Sequence, residues 1–188
     1  FHVGMGVVFL LHLTAFLIPK TLVAWNSVPI RLMTLEVTGF VFALSFLFGI
    51  VVLLLRRRLN ARVRAVTTWM DIVIEVMLLY QVILGCTIAL TLRWGSSWFA
   101  ADLSPYLWSL IKFNPHTDAV VAMPLIVKIH IVVAFLILLI LPFTRLMHLL
   151  TAPFHYLFRP YQQVIWNWDR KKINDPQIPW GKREPTNT

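Results

Sequence analysis

The chain has 188 residues, of which 59% are hydrophobic and 13% aromatic, and carries a formal charge of +9; its mean hydropathy is +0.75. So apolar a composition excludes a soluble domain of this length, and a single cysteine, Cys86, excludes an internal disulfide and a cysteine-held iron–sulfur cluster. The basic residues fall at the ends of apolar runs and in the C-terminal tail, not in aromatic-interleaved stripes, so the charge points to membrane topology and away from nucleic acid.

A hydrocarbon core about 30 Å thick needs roughly 20 apolar residues in a helix. Four stretches approach or exceed that length: segment A (Phe1 to Ile18), segment B (Met33 to Leu55), segment C (Val66 to Leu92) and segment D (Met123 to Leu150). They predict an all-α fold, an integral membrane bundle with four transmembrane helices. Segment A is short and opens at Phe1 without a methionine, so truncation is expected there, with a fifth helix before it. No basic region followed by a small-residue cleavage site marks a signal peptide.

Segment A, FHVGMGVVFLLHLTAFLI, carries His2 and His12. A buried ring without a partner is costly, so intramembrane histidines are functional candidates. Gly4 and Gly6 beside them remove side-chain volume, which suits a bulky flat cofactor or close helix packing. The A–B connection holds Lys20 and Arg31, whereas the B–C connection RRRLNARVR holds Arg56, Arg57, Arg58, Arg62 and Arg64. The positive-inside rule therefore puts the B–C loop in the cytoplasm. Segment C begins with Asp71 and Glu75, placed where acidic groups suit a helix N-terminus, and includes Cys86, read as a small buried hydrophobe. The C–D loop has only Arg93 and Lys112 as basic residues, together with His116, read as a surface histidine like His155. Segment D carries His130 near its outer end and His148 near its inner end, with Pro142 between them expected to bend it. The tail adds six more Lys or Arg, so the C-terminus is also expected in the cytoplasm, and the chain divides into a membrane domain (1–158) and a cytoplasmic arm (159–188).

This topology makes segments A and D antiparallel, which sets His2 level with His148 and His12 nearer His130. Two cross-helix pairs stacked along the membrane normal are what two b haems need, because a low-spin haem takes one axial ligand from each side. The ladders differ in length: ten residues rise about 15 Å and eighteen about 27 Å. Pro142 and helix tilt are expected to absorb the difference. The eighteen-residue step returns to one helical face, while the ten-residue step falls about 80° short of three turns. Lys128 and Arg145 precede His130 and His148 by two and three residues, and either pair with haem propionates or snorkel to the interface. The competing reading satisfies each histidine singly with a carbonyl or water. A zinc-type site is disfavoured, because no histidine pair has i, i+4 spacing.

From Phe1 to about Gln163 the chain resembles the gamma subunit of membrane-bound respiratory nitrate reductase, a di-haem cytochrome b anchor. The resemblance rests on FHVGMGVVFLLH, on RRRLNARVRAVTTWMDI, and on KIHIVVAFLILLILPFTRLMHLLTAP followed by YLFRPYQ. It implies that His2 and His148 ligate the haem nearer the cytoplasm and His12 and His130 the outer haem. It also implies quinol oxidation near the outer haem, with electrons passed to an iron–sulfur (beta) subunit and then a molybdenum catalytic (alpha) subunit. No molybdenum or iron–sulfur ligand set is present in this chain, so nitrate itself is expected to be reduced elsewhere in such a complex. Two features depart from the family pattern: Leu11 stands where a glycine is expected before the outer-haem ligand, and the A–B loop does not align cleanly with the lysine of the family's quinol site, a role for which Lys20 and Arg31 are candidates. The same module in a sulfite-reductase-associated or heterodisulfide-reductase-like complex is the nearest alternative. A structural anchor or transporter without redox activity is a third.

Overall fold

The computed structural model describes residues 1–149, 151 and 158–160. Phe1–Leu150 form one unit and Thr151–Thr188 a second; the long helices belong to the first. Every regular element among the described residues is helical, as expected for an all-α membrane bundle.

Helix α1 (His2–Leu17) runs until Pro19 interrupts it. Proline has no N–H to donate and disfavours helical geometry in the residue before it, and Ile18 accordingly takes φ −128° and ψ 54°. The chain bends by 105° and restarts as α2 (Pro19–Asn26), with proline at a first-turn position where the missing N–H costs nothing. Helix α3 (Pro29–Leu59) also starts on a proline and ends in Arg56, Arg57 and Arg58. It exceeds segment B at both ends, because its terminal turns lie outside the apolar run that hydropathy detects.

Asn60 caps α4 (Ala61–Ala65), its Oδ1 accepting from the N–H groups of Arg62 and Val63 at 3.0 and 3.4 Å. Helix α5 (Trp69–Thr91) begins later than segment C because Thr68 caps it. The Thr68 hydroxyl accepts from the Asp71 N–H at 3.3 Å and the Asp71 carboxylate accepts from the Thr68 N–H at 2.9 Å, satisfying two orphan donors at once. The region read from sequence as the C–D loop folds into α6 (Gly95–Trp98), a π-helical turn (Phe99–Leu103), α7 (Ser104–Ile111) and α8 (Asp118–Ala122).

Segment D requires a correction. Its α-helix, α9 (Leu125–Ile140), stops well short of Leu150 and gives way to 3₁₀ turns at Leu141–Phe143 and Arg145–Leu149. Pro142 removes a backbone donor and crowds the preceding turn, and Thr144 is extended, with φ −114° and ψ 165°. The placing of His130 and His148 on one helical face therefore fails, since no continuous helix joins them. Helices α3 and α5, and α9 with its first 3₁₀ turn, are each long and apolar enough to cross a membrane, while α1 and α2 qualify only as a bent pair, giving three to four spans.

Helix α1 packs on α3, α3 on α5, and α5 on α9. The long helices thus form an arc whose two ends are the histidine-bearing α1 and α9. Among the described residues these two ends are not close-packed neighbours. The approach of α1 to α3 is antiparallel and tight: a Cβ on Gly4 would lie 2.6 Å from Phe46 N, and one on Gly49 would lie 2.6 Å from Phe1 Cα. The start of α1 therefore meets the late turns of α3. Arg57 near the end of α3 pairs with Asp71 and Glu75 at the start of α5, and Arg145 in the last 3₁₀ turn pairs with Asp71. All four elements share one end of the bundle, called here the basic end. Between them lies a core of Phe46, Ile50, Ile74, Leu78, Val82 and Cys86, so the cysteine is the buried hydrophobe expected.

Of the two glycines of α1, Gly4 is a packing residue, whereas a Cβ on Gly6 would meet nothing within 4 Å. Gly4→Ala is expected to destabilise by about 1–3 kcal/mol through overpacking, and Gly6→Ala to be neutral or slightly stabilising through helix propensity. Thermal unfolding of the two variants in detergent checks this; equal melting temperatures would contradict it.

Candidate functional site

His12 lies near the end of α1 remote from the basic end. Its Nδ1 is 2.8 Å from the carbonyl oxygen of Val8, and a carbonyl only accepts, so Nδ1 carries the proton and Nε2 holds a bare lone pair. Metal-ligating histidines use this division, one nitrogen fixed by a backbone acceptor and the other offered. The His12 ring is exposed and meets Phe99 edge to face, with centroids 5.4 Å apart and planes at 85°.

His130 comes from α9. The Gln81 amide of α5 grips it twice, Nε2 donating to the His130 backbone carbonyl at 3.1 Å and to its ring Nε2 at 3.2 Å. Two atoms of this cluster, His130 Nδ1 and Gln81 Oε1, are buried without a hydrogen-bond partner. Gly85, one turn beyond Gln81, makes room for the ring, because a Cβ there would lie 3.3 Å from His130 Cε1.

At the basic end, His2 is exposed and meets the Phe1 ring edge-on at 5.0 Å. Leu146, two residues before His148, packs on the same core cluster as Phe1 and Met5, so the Arg145–Leu149 turn and the start of α1 share that end. The His148 side chain and all of His155 lie outside the described residues. His116 is exposed.

The residues present fit b haem. A bare imidazole lone pair on α1, a second imidazole on α9, open space at Gly6 and the unpacked ends of the arc suit a flat cofactor held between imidazoles. Among the described residues no three His, Cys, Asp or Glu side chains converge as a metal site. Lys128 donates to the Val121 carbonyl at 2.8 Å. Arg145 donates to the Val66 carbonyl at 3.0 Å and lies 3.4 Å from Asp71. Both cations expected beside propionates thus also hold protein groups.

Of the two quinol-site candidates, Lys20 lines a cavity of about 550 Å³ with Leu17, Ile18, Pro19, Thr21, Trp108 and Lys112. Trp108 connects that cavity to α1: it stacks on Phe16 at 4.9 Å and donates from Nε1 to the Phe16 carbonyl at 2.9 Å, one helical turn beyond His12. Arg31 lies elsewhere, over the Trp25 ring at 4.8 Å.

Among families of known proteins, the one described as nitrate reductase gamma subunit matches residues 1–167. The chain belongs to that family. The respiratory nitrate reductase 2 gamma chain of Escherichia coli (strain K12) is 34% identical over 167 residues, which are 87% of this chain and 74% of the relative. The respiratory nitrate reductase 1 gamma chain of the same organism is 32% identical over 170 residues, with the same coverage. The nitrate reductase gamma chain of Bacillus subtilis (strain 168) is 31% identical over 115 residues, 60% of this chain and 51% of the relative. Leu11, a departure noted in this gamma-family sequence, is accommodated by α3, where Gly39 leaves its Cδ1 at 3.2 Å from where a Cβ would stand.

Sequence reasoning missed Gln81, although a lone glutamine amid apolar residues, followed a turn later by glycine, was a signal. It also missed a polar clasp at the end remote from the basic end. Asn26 donates to the Ser96 and Ser97 hydroxyls at 3.0 and 3.1 Å, and Glu36 accepts from the Ser96 hydroxyl and N–H at 2.6 and 2.8 Å. The clasp ties α2 and α3 to α6.

Proposed function

We propose that this chain is the membrane cytochrome b subunit of a respiratory nitrate reductase, oxidising quinol at the end of the bundle opposite Arg56–Arg64. His12 and His130 would hold one b haem and His2 and His148 a second. Bound there, the haems supply one-electron carriers between quinol and a cytoplasmic iron–sulfur subunit that serves a molybdenum catalytic subunit. The observation that carries this reading is the placement of His12 and His130 on the two unpacked ends of the helical arc, one with its lone pair freed by Val8.

The chain's own residues supply the rest. Val8 fixes the His12 tautomer through its carbonyl. Lys20 places an ammonium donor at the mouth of a cavity whose Leu17, Ile18 and Trp108 walls suit an apolar ring, the composition expected of a small-molecule site. Lys20 is the better quinol candidate, because Arg31 is stacked on Trp25. Arg56–Arg64 lie on the face that would meet the iron–sulfur partner on the cytoplasmic side, consistent with the positive-inside rule.

The test is a reduced-minus-oxidised visible spectrum with a haem-to-protein ratio. Two b haems per chain are expected, and acid–acetone should extract all the colour. No alpha band, a ratio near one, or colour retained on the protein would contradict the reading.

A further inference from the structure

We infer that Ser104 is a positioning residue of the quinol cavity, its hydroxyl holding the break between α1 and α2 at the angle that brings Lys20 and Trp108 into one cavity. This rests on the proposed quinol site at Lys20, and the contacts behind it are the chain's own.

The last carbonyls of a helix have no partner inside it. Ala15, near the end of α1, is buried in a cluster with Leu22 and Ala100, and Pro19, four residues on, has no N–H to give its carbonyl. Ser104 replaces that donor. From a fully buried position its hydroxyl donates to the Ala15 carbonyl at 2.9 Å. The Phe99 carbonyl also lies 3.2 Å from the hydroxyl but already accepts the Ser104 backbone N–H, so the one hydroxyl proton is needed only at Ala15. One turn further along α7, Trp108 donates to the next carbonyl of α1, that of Phe16, at 2.9 Å. Residues four apart share a helix face, and this face of α7 therefore caps the end of α1 from outside.

The two capped carbonyls lie just before the break. Beyond them the chain turns by 105° into α2, and the turn itself, from Leu17 to Thr21, is wall of the cavity that Trp108 also lines. Ser104 does not line that cavity, so it acts through the backbone alone. The same residue holds Phe99 by its N–H, and the Phe99 ring meets His12; cavity and ligand helix thus share one support. A buried carbonyl left unpaired is costly. Without the Ser104 hydroxyl the break would shift to relieve that cost, and Lys20, one residue past Pro19, would shift with it.

The experiment uses the chain in its full complex, with Ser104→Ala, Ser104→Cys and Lys20→Ala. Haem reduction is followed optically with a quinol analogue over a range of concentrations, and with dithionite, which needs no quinol cavity. In Ser104→Ala both haems should be retained and fully reduced by dithionite. The quinol concentration giving half the limiting rate should rise about tenfold, the scale of one lost buried hydrogen bond, while the limiting rate holds. A residue that only packs would lower stability or haem content without moving that concentration. Should Ser104→Ala fail to assemble, Ser104→Cys, which keeps a weak donor of similar size, carries the test, and a raised half-saturating concentration remains required. A parent value in the serine variant, together with a rise in Lys20→Ala, would overturn the inference and leave the quinol cavity standing. No rise in Lys20→Ala would overturn both.

Discussion

His130→Ala is expected to remove one of two haems and to bring quinol reduction of the other down to background. The reason is position. His12, the proposed partner of His130, lies one helical turn from Phe16, whose ring stacks on Trp108 at 4.9 Å, and Trp108 walls the cavity that contains Lys20. Quinol bound beside Lys20 would therefore sit close to the site held by His12 and His130 and far from the basic end, where His2 lies. His148→Ala has the opposite signature: the remaining haem should still be reduced by quinol, and delivery to the iron–sulfur partner should stop. Lys20→Ala should retain both haems and slow their reduction, because it removes a donor from the cavity without touching a ligand. The measurement is optical haem reduction by a quinol analogue in each variant. Reduction of the remaining haem at the parent rate in His130→Ala would mean that quinol enters elsewhere.

Hydropathy located the spanning segments because lipid offers no partners to backbone N–H and C=O, so a spanning stretch has to be an apolar helix. It missed the ends. The first turn of α3 begins at Pro29 and its last carries three arginines, and neither is apolar. The apolar run of segment D continues through Pro142, whereas the backbone responds to the missing N–H at that one residue. The site histidines were legible as rare polar groups in apolar runs. His12 could be understood further from local sequence, since its Nδ1 partner is the carbonyl four residues back. Gln81 could not, because its partner is 49 residues away on another helix, and no periodicity links them. The same holds for Arg57 and Glu75, which are 18 residues apart. Arg57 reads in sequence as one of five loop arginines setting topology, and only the fold separates it from its neighbours.

That separation has a large expected consequence. Arg57 donates from Nε to both oxygens of Glu75 at 3.0 and 2.9 Å, from Nη2 to Glu75 Oε1 at 2.6 Å, and from Nη1 to the Thr67 hydroxyl at 2.9 Å; it also lies 3.5 Å from Asp71. The side chains of Asp71 and Glu75 are only 5% and 12% exposed, so water does little for either carboxylate. Asp71 has other support, from the Thr68 N–H and Arg145, whereas Arg57 is the cation that faces Glu75. Arg57→Met would leave a buried carboxylate uncompensated, at a cost of about 3–5 kcal/mol. Arg57→Lys should fall between, since an ammonium cannot reproduce the two-pronged contact. Charge attraction and the desolvation of both groups oppose each other in such a pair, and replacing both partners with apolar residues is often neutral. The double variant Arg57→Met/Glu75→Met is therefore expected to recover most of the loss. Asp71 also holds Arg145, at the start of the turn that contains His148, so the single variant should loosen the proposed inner-haem site before the outer one. Thermal unfolding in detergent, with haem content followed through the melt, checks both points. A single Arg57→Met variant that melts with the parent, or a double variant no more stable than the single, would show that Glu75 is not held by Arg57.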